Sequence, residues 1–149
     1  MTTRQRTVGL GALLVVYLGV AAAIGFWATP VDASAHRWVL IHLARWHASW
    51  VRDFVDYSAL EVAANVLFFV PLGVLVAAML PRRIWWLSVV IGVAFSVCIE
   101  VGQLLFLPGR FASWDDILAN SVGTAVGAVI VLIARALARS RSRSRSRSR

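Results

Sequence analysis

LEVAANVLFFVPLGVLVAAML, residues 60–80, carries one charge, Glu61, and one further strongly polar side chain, Asn65. A helix that crosses a bilayer needs about 20 predominantly apolar residues, and this run supplies them. Pro71 stands in its middle and removes one backbone donor, which predicts a kink. A membrane helix tolerates that where neighbouring helices support the freed backbone. Residues 60–80 are therefore read as a transmembrane span.

The same reading repeats on both sides. Residues 8–28 hold no charge and follow Arg4 and Arg6. A secretory signal is the alternative there, and Ala33-Ser34-Ala35 offers a small-residue cleavage pattern. A signal core spans roughly 7–15 residues, however, and this run is longer, so a retained helix is expected. Residues 84–107, with Glu100 and Gln103, make a third span. Residues 117–137, preceded by Asp116 and opening with Asn120, make a fourth. The whole chain agrees: 60% of its 149 residues are hydrophobic and 15% charged. Ordinary soluble domains are roughly 45–50% apolar and 25% charged, so a soluble fold is excluded. The expected class is all-α: a polytopic membrane protein with four transmembrane helices and one amphipathic interfacial helix.

That interfacial helix is read over residues 35–57. Val39, Leu43, Trp46, Trp50, Phe54 and Tyr57 recur at helical spacing, opposite His42, Arg45, Ser49, Arg52, Asp53 and Asp56. Such a helix suits the outer interface, with its aromatic rings at headgroup depth. A helix capping the bundle fits the pattern nearly as well. Residues 139–149 are an Arg-Ser repeat with nothing apolar to anchor a fold, so a disordered tail is expected. Its charge would draw it to anionic lipid; nucleic-acid binding is the alternative and is not favoured. Cys98, alone in an apolar run, is expected as a small buried hydrophobe.

Arginine placement sets the orientation, since every basic residue is Arg. Arg4 and Arg6, Arg82 and Arg83, and the tail mark the cytoplasmic side under the positive-inside rule. Both termini (residues 1–7 and 139–149) are then cytoplasmic, flanking a membrane domain over 8–138. The other two loops carry acids: Asp32, Asp53 and Asp56 in one, Asp115 and Asp116 in the other.

With the second and fourth spans running inward and the third outward, Glu61, Asn65, Glu100, Gln103, Asp116 and Asn120 all fall in the outer half of the membrane. Ionisable groups at that depth cost about 2.5–3.5 kcal/mol on insertion scales and call for a reason. Glu100 is the acid/base candidate, with Asp115 and Asp116 as a second carboxylate or a hold for a divalent cation. Arg110 in the third-to-fourth loop suits a phosphate or a carboxylate. Trp114 suits a sugar face or the interface. Glu61, Asn65, Gln103 and Asn120 would position a substrate. Each amide taken alone reads more naturally as interhelical glue, Gly123 and Gly127 as a close-packing GxxxG, and Glu100 with Arg110 as an ion pair. His36, His42 and His47 lack an i, i+4 pair, so no metal site is expected. No nucleophile motif and no phosphate-cradling loop is present, and the sequence names no cofactor.

These residues resemble the VanZ-like family of small bacterial membrane proteins. The resemblance rests on Asn65 with Phe68-Phe69-Val70-Pro71-Leu72-Gly73, then Glu100 and Gln103, Arg110, Asp115-Asp116, Asn120, Gly123 and Gly127, and covers about residues 61–131. The family is named for a member associated with teicoplanin resistance, which implies a link to the cell envelope. The expected partner is thus a membrane lipid or lipid-linked envelope precursor, bound or modified in the outer leaflet. A non-enzymatic scaffold or binding protein is the rival reading. A transporter would need polar groups through the full depth. Four helices leave little protein to enclose a cavity, so a homo-oligomer stays open.

Overall fold

The structure, a computed structural model, describes residues 3–26, 57–107 and 113–147. Among these it is entirely helical: α1 is Thr3–Gly25, α2 Tyr57–Met79, α3 Leu87–Phe106 and α4 Trp114–Arg147. A 3-10 turn, Arg82–Ile84, joins α2 to α3. All four α-helices are long and apolar enough to cross a membrane. The interfacial helix read over 35–57 lies outside the described residues except for Tyr57, which heads α2 instead. Arg110 and the three histidines also lie outside them.

Local chemistry explains the boundaries. Pro81 follows the end of α2 and cannot continue it. Ser88 Oγ donates to Trp85 O at 2.6 Å, tying the first turn of α3 to the preceding bend. Leu107 leaves α3 in an extended conformation (φ −119°, ψ 93°), as a residue before proline prefers. Pro71 does not end α2, which continues as one helix to Met79.

One boundary differs from expectation. The α4 backbone stays helical through Arg147, across the repeat expected to be disordered. Arg is a good helix former and neither Gly nor Pro interrupts the segment. The costly nucleation is already met by the apolar part of α4, so each added residue need only propagate. Cations also complement the negative carboxyl end of a helix.

The helix directions follow from contacts at both ends. Asn65 meets Asp116 near the amino ends of α2 and α4, and Arg135 meets Ala78 and Leu80 near the carboxyl end of α2. α2 and α4 are therefore parallel, although they are not neighbours in sequence. Contacts of Ser96 with Asn120 and Glu100 with Ser113 make α3 antiparallel to α4. The chain thus weaves up and down, and the amino ends of α2 and α4 share one end of the bundle with the carboxyl ends of α1 and α3.

Glycine brings the parallel pair together. A Cβ on Gly123 would overlap the Val66 carbonyl, one on Gly127 the Val70 carbonyl, and one on Gly73 the Thr124 carbonyl. The two backbones touch directly, which is how membrane helices associate without a hydrophobic drive between them. Thr124 fills the groove against Gly92 of α3. Phe69, Leu72, Val76 and Ile99 form the apolar core, with Phe95 packed against it. α1 is peripheral: 6% of its apolar window is buried, against 39% for α4. Its main tie is Tyr17, whose hydroxyl donates to Phe68 O at 2.6 Å, three residues before Pro71. Cys98 is exposed on the outer face of α3, not buried as expected. In a bilayer that face meets acyl chains, so the thiol is still in apolar surroundings.

Candidate functional site

The polar end of the bundle is built from three helices. Glu100, six residues before the end of α3, is 5% exposed. Its Oε2 accepts the Ser113 backbone N–H at 2.9 Å, so the carboxyl reaches the segment that opens α4. Ser113 in turn caps that helix: the Asp116 N–H donates to Ser113 Oγ at 3.3 Å. Ser113-Trp114-Asp115-Asp116 has the spacing of a capping box, and both acids lie in the first turn, where the helix dipole favours negative charge.

Asp116 is also tied sideways. Asn65 Nδ2 donates to its Oδ1 at 2.7 Å, bridging α2 and α4. One turn deeper on α4, Asn120 is 6% exposed and donates to Ser96 Oγ at 2.8 Å. Asn120 Oδ1 is buried with no hydrogen-bond partner. A buried acceptor left unsatisfied costs about 1–3 kcal/mol, which makes it unusual among native side chains. Thr124 Oγ1 donates to the Asn120 carbonyl at 2.9 Å and closes the polar column from below. Gln103 turns the other way, its Nε2 donating to Gly25 O at 2.7 Å and tying α3 to the carboxyl end of α1.

Of the nine residues singled out in the sequence, the eight that are described separate into three groups. Glu100, Asn65, Asp116 and Asn120 are gathered within one connected patch around Ser96 and Ser113. Gln103 shares the same end but is engaged with α1. Glu61, Asp115 and Trp114 are exposed at that end, Trp114 to 78%. Arg110 falls outside the described residues, in the segment joining α3 to α4. Two hydroxyls were not singled out. Ser113 was legible as the first residue of S-x-x-D; Ser96 lies four residues before Glu100, hence on the same face.

A family model described as VanZ/LLP1 matches residues 13–135. That range takes in α2 and α3 whole, most of α1 and α4, and the polar end. The chain belongs to the VanZ-like family. The match is wider than the segment that carried the resemblance, reaching back into α1 and forward to Arg135, the residue that clamps α2. The match thus takes in the second half of the peripheral helix and ends four residues before the Arg-Ser repeat. No curated protein and no solved structure matches the chain.

Chemically, the site offers one buried carboxyl, a second carboxylate held by an amide and a helix cap, and two hydroxyls. It also offers one unused amide acceptor. Such a set can accept and return a proton at Glu100 and can receive hydrogen bonds from a hydroxyl or amide of a ligand at Asn120.

Proposed function

We propose that this VanZ-like protein lies in the cell membrane with its polar end in the outer leaflet and both termini cytoplasmic. There it binds or modifies an envelope lipid or lipid-linked glycan, and through that lipid bears on glycopeptide susceptibility. The observation that carries the reading is Glu100, a carboxyl buried within an apolar bundle at the end where Asp116, Asn65 and Asn120 converge. In this reading Glu100 is the acid/base, Asp115 and Asp116 supply the second carboxylate, and Arg110 anchors the phosphate. Glu61, Asn65, Gln103, Trp114 and Asn120 orient the glycan or lipid.

The test is Glu100→Gln, which keeps the shape and an oxygen able to accept the Ser113 N–H. Full-length wild type and variant are reconstituted with a fluorescent polyprenyl-phosphate-linked sugar, and binding and turnover are followed. In parallel, teicoplanin susceptibility is measured in cells expressing each form. Loss of turnover and of any susceptibility change, with unaltered insertion and unfolding, supports the acid/base role. Retained function in Glu100→Gln removes it. Orientation is read separately from single cysteines placed at Ser58, Arg83, Ser113 and Ser140 in a Cys98→Ser background. Labelling from outside at Ser58 and Ser113 alone agrees with the outer-leaflet site; labelling at Arg83 and Ser140 inverts it.

A specific observation also favours the non-enzymatic reading. All three amides of the set make hydrogen bonds between helices, and the glycines bring backbones into contact. A scaffold or lipid-binding protein would tolerate Glu100→Gln and fail with a bulky residue at Gly123 or Gly127.

A further inference from the structure

The opposite end of the bundle plays no part in that reading, and it has its own chemistry. Among the described residues every carboxylate, from Glu61, Glu100, Asp115 and Asp116, lies at the polar end. The other end carries only positive charge. Arg82 and Arg83 form the turn between α2 and α3, and both are exposed. Arg135 Nη1 donates to Leu80 O at 3.0 Å and Nη2 to Ala78 O at 2.8 Å, which fixes α4 beside that turn. Arg139 follows one helical turn on, roughly 6 Å further along the axis, and Arg141 is exposed beyond it. On the third side, a Cβ at Gly11 of α1 would meet Met79 Cε at 4.0 Å, so α1 enters at the same level. Arg4 and Arg6 lie roughly 7–10 Å further out on α1.

Two tryptophans mark the depth. Trp85 and Trp86 directly follow the Arg82–Ile84 turn, and Trp86 is half exposed. Tryptophan concentrates where hydrocarbon gives way to headgroups. The arginines of the turn and of α4 just past Arg135 therefore fall at the level of the lipid phosphates. A guanidinium binds a phosphate through two parallel N–H donors.

We propose that Arg82, Arg83, Arg139 and Arg141, with Arg4 and Arg6 completing the rim, form a collar that binds anionic phospholipid headgroups. The collar is at the far end from Glu100 and stands whether or not the chain acts on an envelope precursor.

Full-length protein reconstituted in phosphatidylcholine nanodiscs, with and without a minority of phosphatidylglycerol, tests this. Lipid retained after mild detergent extraction is counted by mass spectrometry. Wild type should enrich phosphatidylglycerol and lose that enrichment in high salt. At about fivefold per charge near the surface, Arg82→Gln/Arg83→Gln and Arg139→Gln/Arg141→Gln should each lower the enrichment by roughly tenfold or more. Arg139→Lys/Arg141→Lys should keep most of it, which separates lost charge from lost folding. Equal retention of both lipids by wild type, or enrichment indifferent to both Gln pairs, overturns the collar. Displacement of the lipid by a single-stranded oligonucleotide at physiological salt also overturns it, because the partner is then nucleic acid.

Discussion

Gly127→Ala is the sharpest probe of the fold, because one added methyl must separate two backbones. Its Cβ would stand 2.7 Å from Val74 N and 3.0 Å from Gly73 C, with the Val70 carbonyl closer still. Ordinary contact needs about 3.5 Å, so α2 and α4 must part by roughly 1 Å or somewhat more, which forfeits about half of the dispersion at the touching atoms. Overpacking of this kind costs about 1–3 kcal/mol. The Asn65–Asp116 bond at one end and the Arg135 bonds at the other bracket the seam, and each loses about 0.6–2 kcal/mol as it stretches. Against this, Ala gains about 1 kcal/mol of helix propensity over Gly. The net expectation is a loss of about 1–6 kcal/mol. Gly19→Ala is the matched control. Nothing lies within 4 Å of its added Cβ, so only the propensity gain remains. Both variants are unfolded by SDS titration in mixed micelles, monitored by circular dichroism. If Gly127→Ala proves as stable as Gly19→Ala, the parallel backbone contact is wrong and the packing must be redrawn.

The remaining expectations concern the ties around that seam. Arg135→Gln removes the guanidinium that satisfies two carbonyls at the end of α2, and should cost about 1.5–3 kcal/mol in the same titration; Arg135→Lys, lacking the fork, should recover only part of it. A double-mutant cycle of Asn65→Ala and Asp116→Ala should give a coupling of about 0.6–2 kcal/mol, whereas Asn65→Ala with Gln103→Ala, which share no partner, should be additive. Tyr17→Phe should cost about 1 kcal/mol and weaken the attachment of α1, seen as faster amide exchange in α1 than in α4.

Much of this arrangement could be read before any coordinates. Four apolar runs separated by charged segments leave few alternatives, since lipid admits only helices that satisfy their own backbones. Alternating span direction then places Glu100 with Asn65, Asp116 and Asn120 at one end. What escaped the sequence was pairing between non-neighbours. Nothing local in α2 says that its glycine lies against Thr124 of α4, and Gly123 and Gly127 state only that some backbone comes close. Arg135 falls inside the fourth span, and nothing local in the sequence shows that two carbonyls of α2 lie within its reach. Cys98 was placed inside because apolar runs suggest burial; in a membrane bundle such runs face outward as readily as inward. The Arg-Ser segment was read from its composition, which takes no account of a helix already under way.

The parallel pair also bears on what Glu100 is for. Two helices running side by side align their dipoles, and the polar groups at their ends answer that arrangement. Asp115 and Asp116 stand in the first turn of α4, and Arg135 covers the carboxyl end of α2. Asn65, Gln103 and Asn120 stitch helix to helix. Packing and electrostatics thus give each of these residues a structural reason to be present. The hydrogen bond from Ser113 does not do the same for Glu100. A glutamine would accept that N–H with the same geometry and without the cost of an ionisable group in hydrocarbon, about 2.5–3.5 kcal/mol. An amide would serve that one bond, so Glu100→Gln tests whether the charge or the proton of the carboxyl is used. That is why Glu100→Gln, and not any of the amide substitutions, separates a site that acts on a lipid from one that merely holds it.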